Sequence, residues 1–326
     1  MPNSNYQFQV ISNNPVPADW AEHRPLIDYS KDLEQGAQHF IPGSELEIAI
    51  NTAIALGDPL LLTGEPGTGK TQVAYYIAKK LGTALCPFAV KSTAKAQDLL
   101  YSFDTVQYFY DAHVARETGQ DAHTFDKRKY ITKGPLWKAI EADQPIVLLL
   151  DEIDKAPRDF PNDLLHELDQ MSFQVPEINE TATQAKRQNR PIVVITSNSE
   201  RRLPEPFLRR CVFHYIEFNQ AILQRAVEAR KEEYRVLSEA FIQFALERFI
   251  GLRNKNLRKK PSTAELINWL RVIAVAAKGG TPDIETLIKL PLPELLDGLR
   301  LKKLPFLGVL IKDSQDLKEI KEAKDE

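Results

Sequence analysis

GEPGTGKT, residues 64–71, lies between the apolar run PLLL (59–62) and the stretch TQVAYYIAKKL (71–81). It satisfies GxxxxGK[ST] in the strand–loop–helix setting that its mechanism requires. Gly64, Gly67 and Gly69 let the backbone turn tightly, with Glu65, Pro66 and Thr68 completing the loop. Successive N–H groups then face one point, and the positive end of the following helix adds to the attraction, so the stretch reads as a phosphate cradle. Lys70 is expected to reach the β and γ phosphates of a bound nucleotide, and Thr71 to hold Mg²⁺.

Outward from this loop the chain alternates. After the strand and helix around residues 60–81 come the apolar run ALCPFAV, a long middle segment, PIVLLLD, the helical stretch DFPNDLLHELDQM, PIVVITSN and CVFHYIEF. Continuous apolar runs alternating with helices predict an α/β fold, a parallel sheet covered on both faces. Pro87 lacks a ladder donor and places its run at an edge. Before the loop, SELEIAINTAIAL reads as a helix with a capping box of Ser44 and Glu47, closed by Gly57. Residues 1–40, with Pro15, Pro17 and Pro25, read as an extended arm, and 41–218 as the α/β core. After residue 218 only helical patterns follow, which predicts a small helical domain over 219–310 and a charged, disordered tail over 311–326.

PIVLLLDEID supplies a second chemical element. Asp151 ends a buried strand at its carboxyl end, where ligands bind in open parallel sheets, and is expected to coordinate Mg²⁺ through its water shell. Glu152 is placed to orient and deprotonate an attacking water. Asn198 is polar where its strand runs out, and its amide suits the water or the γ-phosphate. No NKxD-like segment for reading guanine is present, so ATP is the expected nucleotide.

These pieces, in this order, resemble the AAA+ ATPases: GEPGTGKT as Walker A, LLLDEID as Walker B and Asn198 as sensor 1. FIPGSELEIAINTAIALGDPLLLTGEPGTGKT, GPLWKAIEADQPIVLLLDEID and LPEPFLRRC are most similar to the MoxR-like branch, over roughly residues 38–290. The resemblance implies a P-loop core with five parallel strands in the order 5-1-4-3-2 and a helical lid, and it places Ile41 beside the nucleotide. It also implies a homo-oligomeric, hexameric ring in which an arginine completes the neighbouring subunit's site. Arg210 aligns with that finger arginine and Arg209 is the second candidate. Ala264 stands where the family often has its sensor 2 arginine, with a capping box of Ser262 and Glu265 beside it; Lys259 and Lys260 either substitute for the charge or, the favoured reading, belong to a solvated basic run. The segment 94–134 is longer than a simple crossover needs, as is usual in the MoxR-like group.

Composition narrows the function. With 42 Lys+Arg against 45 Asp+Glu the net charge is −3, which supplies no global field for nucleic acid or an anionic membrane. The two cysteines, Cys86 and Cys211, have no metal-site spacing, and no apolar run is long enough to cross a bilayer. MPNSNYQFQVISNNP lacks a secretory pattern, so a cytoplasmic protein is expected. The leading reading is a chaperone-like ATPase motor acting on a protein partner, by resemblance one with a von Willebrand factor A domain. The alternatives are a nucleic-acid motor or loader, and a nucleotide switch with little turnover.

Overall fold

In the computed structural model, which describes residues 29–117, 126–183, 187–198 and 200–322, the apolar runs form strands at the places their composition dictates. The strands are β1 (Leu60–Gly64), β2 (Leu85–Ala89), β3 (Tyr101–Phe103), β4 (Ile131–Lys133), β5 (Val147–Asp151), β6 (Ser172–Val175), β7 (Glu180–Thr183), β8 (Ile192–Ser197) and β9 (Val212–Ile216). Five of them make one sheet in the order β2-β5-β8-β1-β9, and every neighbouring pair is parallel. Leu60, Leu61 and Leu62 on β1 and Val147 to Leu150 on β5 are at most 1% exposed, the two-sided burial that continuous apolar runs require. Pro87 lies on β2, an edge strand, where its missing N–H costs no ladder bond.

The order makes β5, β8 and β1 consecutive neighbours. Their registers run in phase, with Leu62 opposite Thr196 and Leu150 opposite Ile195. Asp151, Ser197 and Gly64 therefore end adjacent strands at the same edge of the sheet.

The chain divides into two units. One comprises 42–64 and 70–217 and contains the sheet. In it, the long crossover of 94–134 is framed by β3 and β4, an antiparallel pair in which Tyr101 faces Lys133. Tyr101 is core, edge-on to Trp137 and stacked on Phe173, whereas Phe109 on the Thr105–Glu117 helix is 64% exposed. A second antiparallel pair, β6 with β7, was not expected from sequence.

The other unit comprises the described residues up to Ile41, the segment 65–69 and residues from 218 onward. Its helices pack around Phe241, Phe244, Phe249, Trp269 and Leu270, all fully buried. Trp269 satisfies its indole N–H on the Pro305 carbonyl at 2.7 Å.

Three local expectations are corrected. The last part of the expected arm is helical, Tyr29–His39, and Arg271 holds Asp32 of that helix at 2.5 Å; residues 1–28 lie outside the described residues. The expected disordered tail contains the helix Ser314–Glu322, fixed by Asp316, whose buried carboxylate accepts the backbone N–H groups of Arg258 and Lys259, each at 3.0 Å. The Ser44–Glu47 capping box is absent, because the helix starts one residue earlier than the box requires and Gly43 takes the cap position. Gly57 does close that helix in the left-handed conformation, φ 76°.

Gly134 starts the Pro135–Glu141 helix at φ −76°, so space and not backbone conformation demands glycine there. A Cβ would lie 2.4 Å from the Leu99 carbonyl oxygen. Gly134→Ala should destabilise the sheet unit by about 1–3 kcal/mol, read from the midpoint of urea unfolding followed by circular dichroism.

Candidate active site

The phosphate loop adopts the conformation its glycines allow. Gly64, Gly67 and Gly69 have φ of 146°, 72° and 93°, a region that side chains disfavour. Between them the Thr68 hydroxyl donates to the Glu65 carbonyl at 2.9 Å, tightening the turn over Pro66. Lys70 opens the helix Lys70–Leu81 and is 6% exposed, its ammonium donating to the Gly64 carbonyl at 2.9 Å.

Asp151 gathers the neighbouring groups. Its Oδ1 accepts from the Thr71 hydroxyl at 2.9 Å and from the Thr196 hydroxyl at 2.7 Å. Thr71 and Asp151 both offer oxygen, the donor type that a hard cation takes, and stand side by side, so their chemistry fits a Mg²⁺ site.

Glu152 follows with φ 60° and ψ 53°, a left-handed conformation that costs a residue with a side chain on the order of 1 kcal/mol or more. Its N–H donates to Thr196 Oγ1 at 2.8 Å, which holds the turn in place. The carboxylate is caught between two donors: Asn198 Nδ2 at 3.2 Å on one oxygen and the Lys155 ammonium on the other. That hydrogen bond raises the Lys155 pKa above its ordinary value. Asp154, 3% exposed, accepts the backbone N–H groups of Asn198 and Glu200 at 3.1 and 2.9 Å, anchoring the loop that carries Asn198.

Thr71, Asp151, Glu152 and Asn198 are thus brought together. Arg209 and Arg210 form separate pairs: Arg209 with Glu205 at 3.3 Å, its side chain 77% exposed, and Arg210 with Asp169 at 2.7 Å, 46% exposed. Ile41 is among the exposed large apolar residues, at 41%. Sequence reasoning missed Thr196, Asp154 and Lys155. Their signals were present: a hydroxyl inside the apolar run PIVVITSN, and a second acid and a base one turn along from Asp151.

Residues 59–211 match the model of the AAA domain, dynein-related subfamily. The chain contains an AAA+ ATPase domain. It hydrolyses ATP, and this is the region that holds the loop, Asp151, Glu152, Asn198 and both arginines. No curated protein matches the chain. Among solved structures, a variant of RuvB from Thermotoga maritima is 17% identical with a TM-score of 0.51, covering 86% of this chain and 77% of that one. A second variant of the same protein is 18% identical with a TM-score of 0.50, covering 88% and 78%. A third structure, titled Holliday junction branch migration motor, is 17% identical with a TM-score of 0.48, covering 85% and 74%. At this identity the likeness is one of fold, the AAA+ P-loop fold.

Thr196 does two jobs with one oxygen. Thr196→Val keeps the shape but removes the donor to Asp151 and the acceptor for the Glu152 N–H. Steady-state ATPase turnover of the AAA+ domain should fall about 10- to 100-fold with an unchanged circular-dichroism spectrum, a size typical for the loss of hydrogen bonds that orient a site carboxylate.

Proposed function

We propose that the protein is a MoxR-like AAA+ motor, a hexameric ring that couples ATP hydrolysis to chaperone-like remodelling of a protein partner. Partners with a von Willebrand factor A domain are the first class to test. The observation that carries the reading is the division of labour at the site. Lys70, Thr71, Asp151, Glu152 and Asn198 supply phosphate contact, cation oxygens, a base and an amide in cis, while two exposed arginines at the end of the Glu205–Leu208 helix have no role in that cluster.

In this mechanism ATP lies on the loop of 64–71, its phosphates on the backbone N–H groups and Lys70. Thr71 and Asp151 would hold Mg²⁺, which when bound would supply charge neutralisation at the phosphates. Glu152 deprotonates the attacking water, and Asn198 orients it. For Glu152 to act, its carboxylate must turn from Lys155 toward the water, so Lys155 sets the resting position of the base. A neighbouring subunit adds Arg210, or Arg209, to the developing charge; a finger supplied in trans contributes about 10³- to 10⁵-fold. Arg210 would have to exchange Asp169 for the phosphate, whereas Arg209 is held only by a surface pair of small energetic weight. The net charge of −3 favours a protein over a nucleic-acid partner. ATPase stimulation by DNA at low salt, lost as salt rises, would instead identify a nucleic-acid motor.

Glu152→Gln should bind ATP and stop turnover, read as retained nucleotide binding with ATPase below about 1% of wild type. Mixing it with Arg210→Ala or with Arg209→Ala tests the shared site. The mixture containing the true finger variant regains activity, because some interfaces pair an intact base with an intact arginine. The test applies to an arginine variant that is inactive alone: if it stays inactive in the mixture while mixed rings form, that arginine is not the finger, and if both variants are active alone, neither is.

A further inference from the structure

The phosphate loop carries an acid, Glu65, immediately after its first glycine, on the backbone that is to hold a polyanion. An unpaired carboxylate there repels phosphate, and the repulsion grows with the number of phosphates and as water is excluded. In the unit that contains residues 65–69, Glu65 is not left alone: Arg253 Nη2 donates to Glu65 Oε2 at 2.6 Å.

Arg253 is built into place. It sits near the end of the Glu239–Asn254 helix and is 8% exposed. Its Nη1 donates to the Pro261 carbonyl at 2.6 Å, and the guanidinium lies 3.8 Å from the centroid of the Phe218 ring, which itself packs on Phe249. A carbonyl, an aromatic face and a carboxylate account for a buried cation that always keeps its charge. The same unit brings Ser262 so close to the loop that a Cβ on Gly67 would be 2.4 Å from it, so the loop's apex is seated and its glycine is required sterically as well as by φ. Lys259 and Lys260 are exposed, and Ala264 is exposed beside the same loop, its Cβ 3.8 Å from a Cβ placed on Gly67.

We infer that Arg253 is a positioning residue for nucleotide binding, which cancels the Glu65 charge and fixes the loop in its phosphate-accepting shape. This rests on the reading of residues 64–71 as the ATP loop. Arg253 acts through Glu65, so its contribution depends on that carboxylate being present. It also scales with ligand charge, being larger for a triphosphate than for a diphosphate.

The test is calorimetric titration of the full chain with Mg²⁺ and either the non-hydrolysable analogue AMP-PNP or ADP. Arg253→Met should weaken AMP-PNP binding at least tenfold, about 1.4 kcal/mol, and ADP binding less. Adding Glu65→Gln to Arg253→Met should restore AMP-PNP affinity to within about threefold of wild type, which a purely structural role for Arg253 would not allow. Arg253→Lys keeps the charge and should stay within about threefold of wild type, and Arg253→Gln stands in if the Met variant does not fold. The inference is overturned if the neutral variant binds AMP-PNP like wild type, if Glu65→Gln fails to restore it, or if Arg253→Lys binds as weakly as the neutral variant. If wild type itself binds neither nucleotide, the reading of the loop has failed instead.

Discussion

Asp151 accepts two hydroxyl hydrogen bonds on one carboxylate oxygen, from Thr71 at the start of the loop's helix and from Thr196 on β8. A carboxylate at the end of a buried strand must be satisfied, and here it is satisfied by groups that arrive from two other stretches of chain. That requirement fixes how β5 and β8 end relative to the phosphate loop. It also locks the next residue, because Thr196 takes the N–H of Glu152 in its left-handed turn. The arrangement of the candidate site follows from satisfying one acid.

The parts of this arrangement readable in sequence were those governed by local pattern. The glycine spacing gave the loop, and the continuous apolar runs gave the parallel strands. Pro87 gave an edge, and Ser262 with Glu265 gave a capping box that exists as drawn, with Glu265 accepting the Ser262 N–H at 2.7 Å. The parts that stayed hidden depend on partners far apart in the chain. Thr196 looked like one more residue of a β run until β5 came beside it. The helix Ser314–Glu322 looked like a charged tail because its fixing interaction, Asp316 with the backbone at 258 and 259, spans more than fifty residues. The Ser44–Glu47 box failed for the opposite reason: Gly43 could take the cap position, and a local rule lost to a neighbour that also fits.

Buried charge is distributed according to the same logic in the helical unit. Arg271 lies between Asp32 and Glu233, and Arg253 between Glu65 and the Pro261 carbonyl. Each arginine joins segments that are far apart in the chain. Removing one partner from such a pair is far more damaging than replacing both, since the survivor is left buried without compensation.

Lys70 already points its ammonium at the loop's own Gly64 carbonyl, within a nearly closed environment. Most of that side chain therefore left water when the chain folded, and a carbonyl oxygen stands where solvent would otherwise meet the ammonium. Much of the desolvation cost of this cation falls on folding, and so is drawn from the stability of the sheet unit.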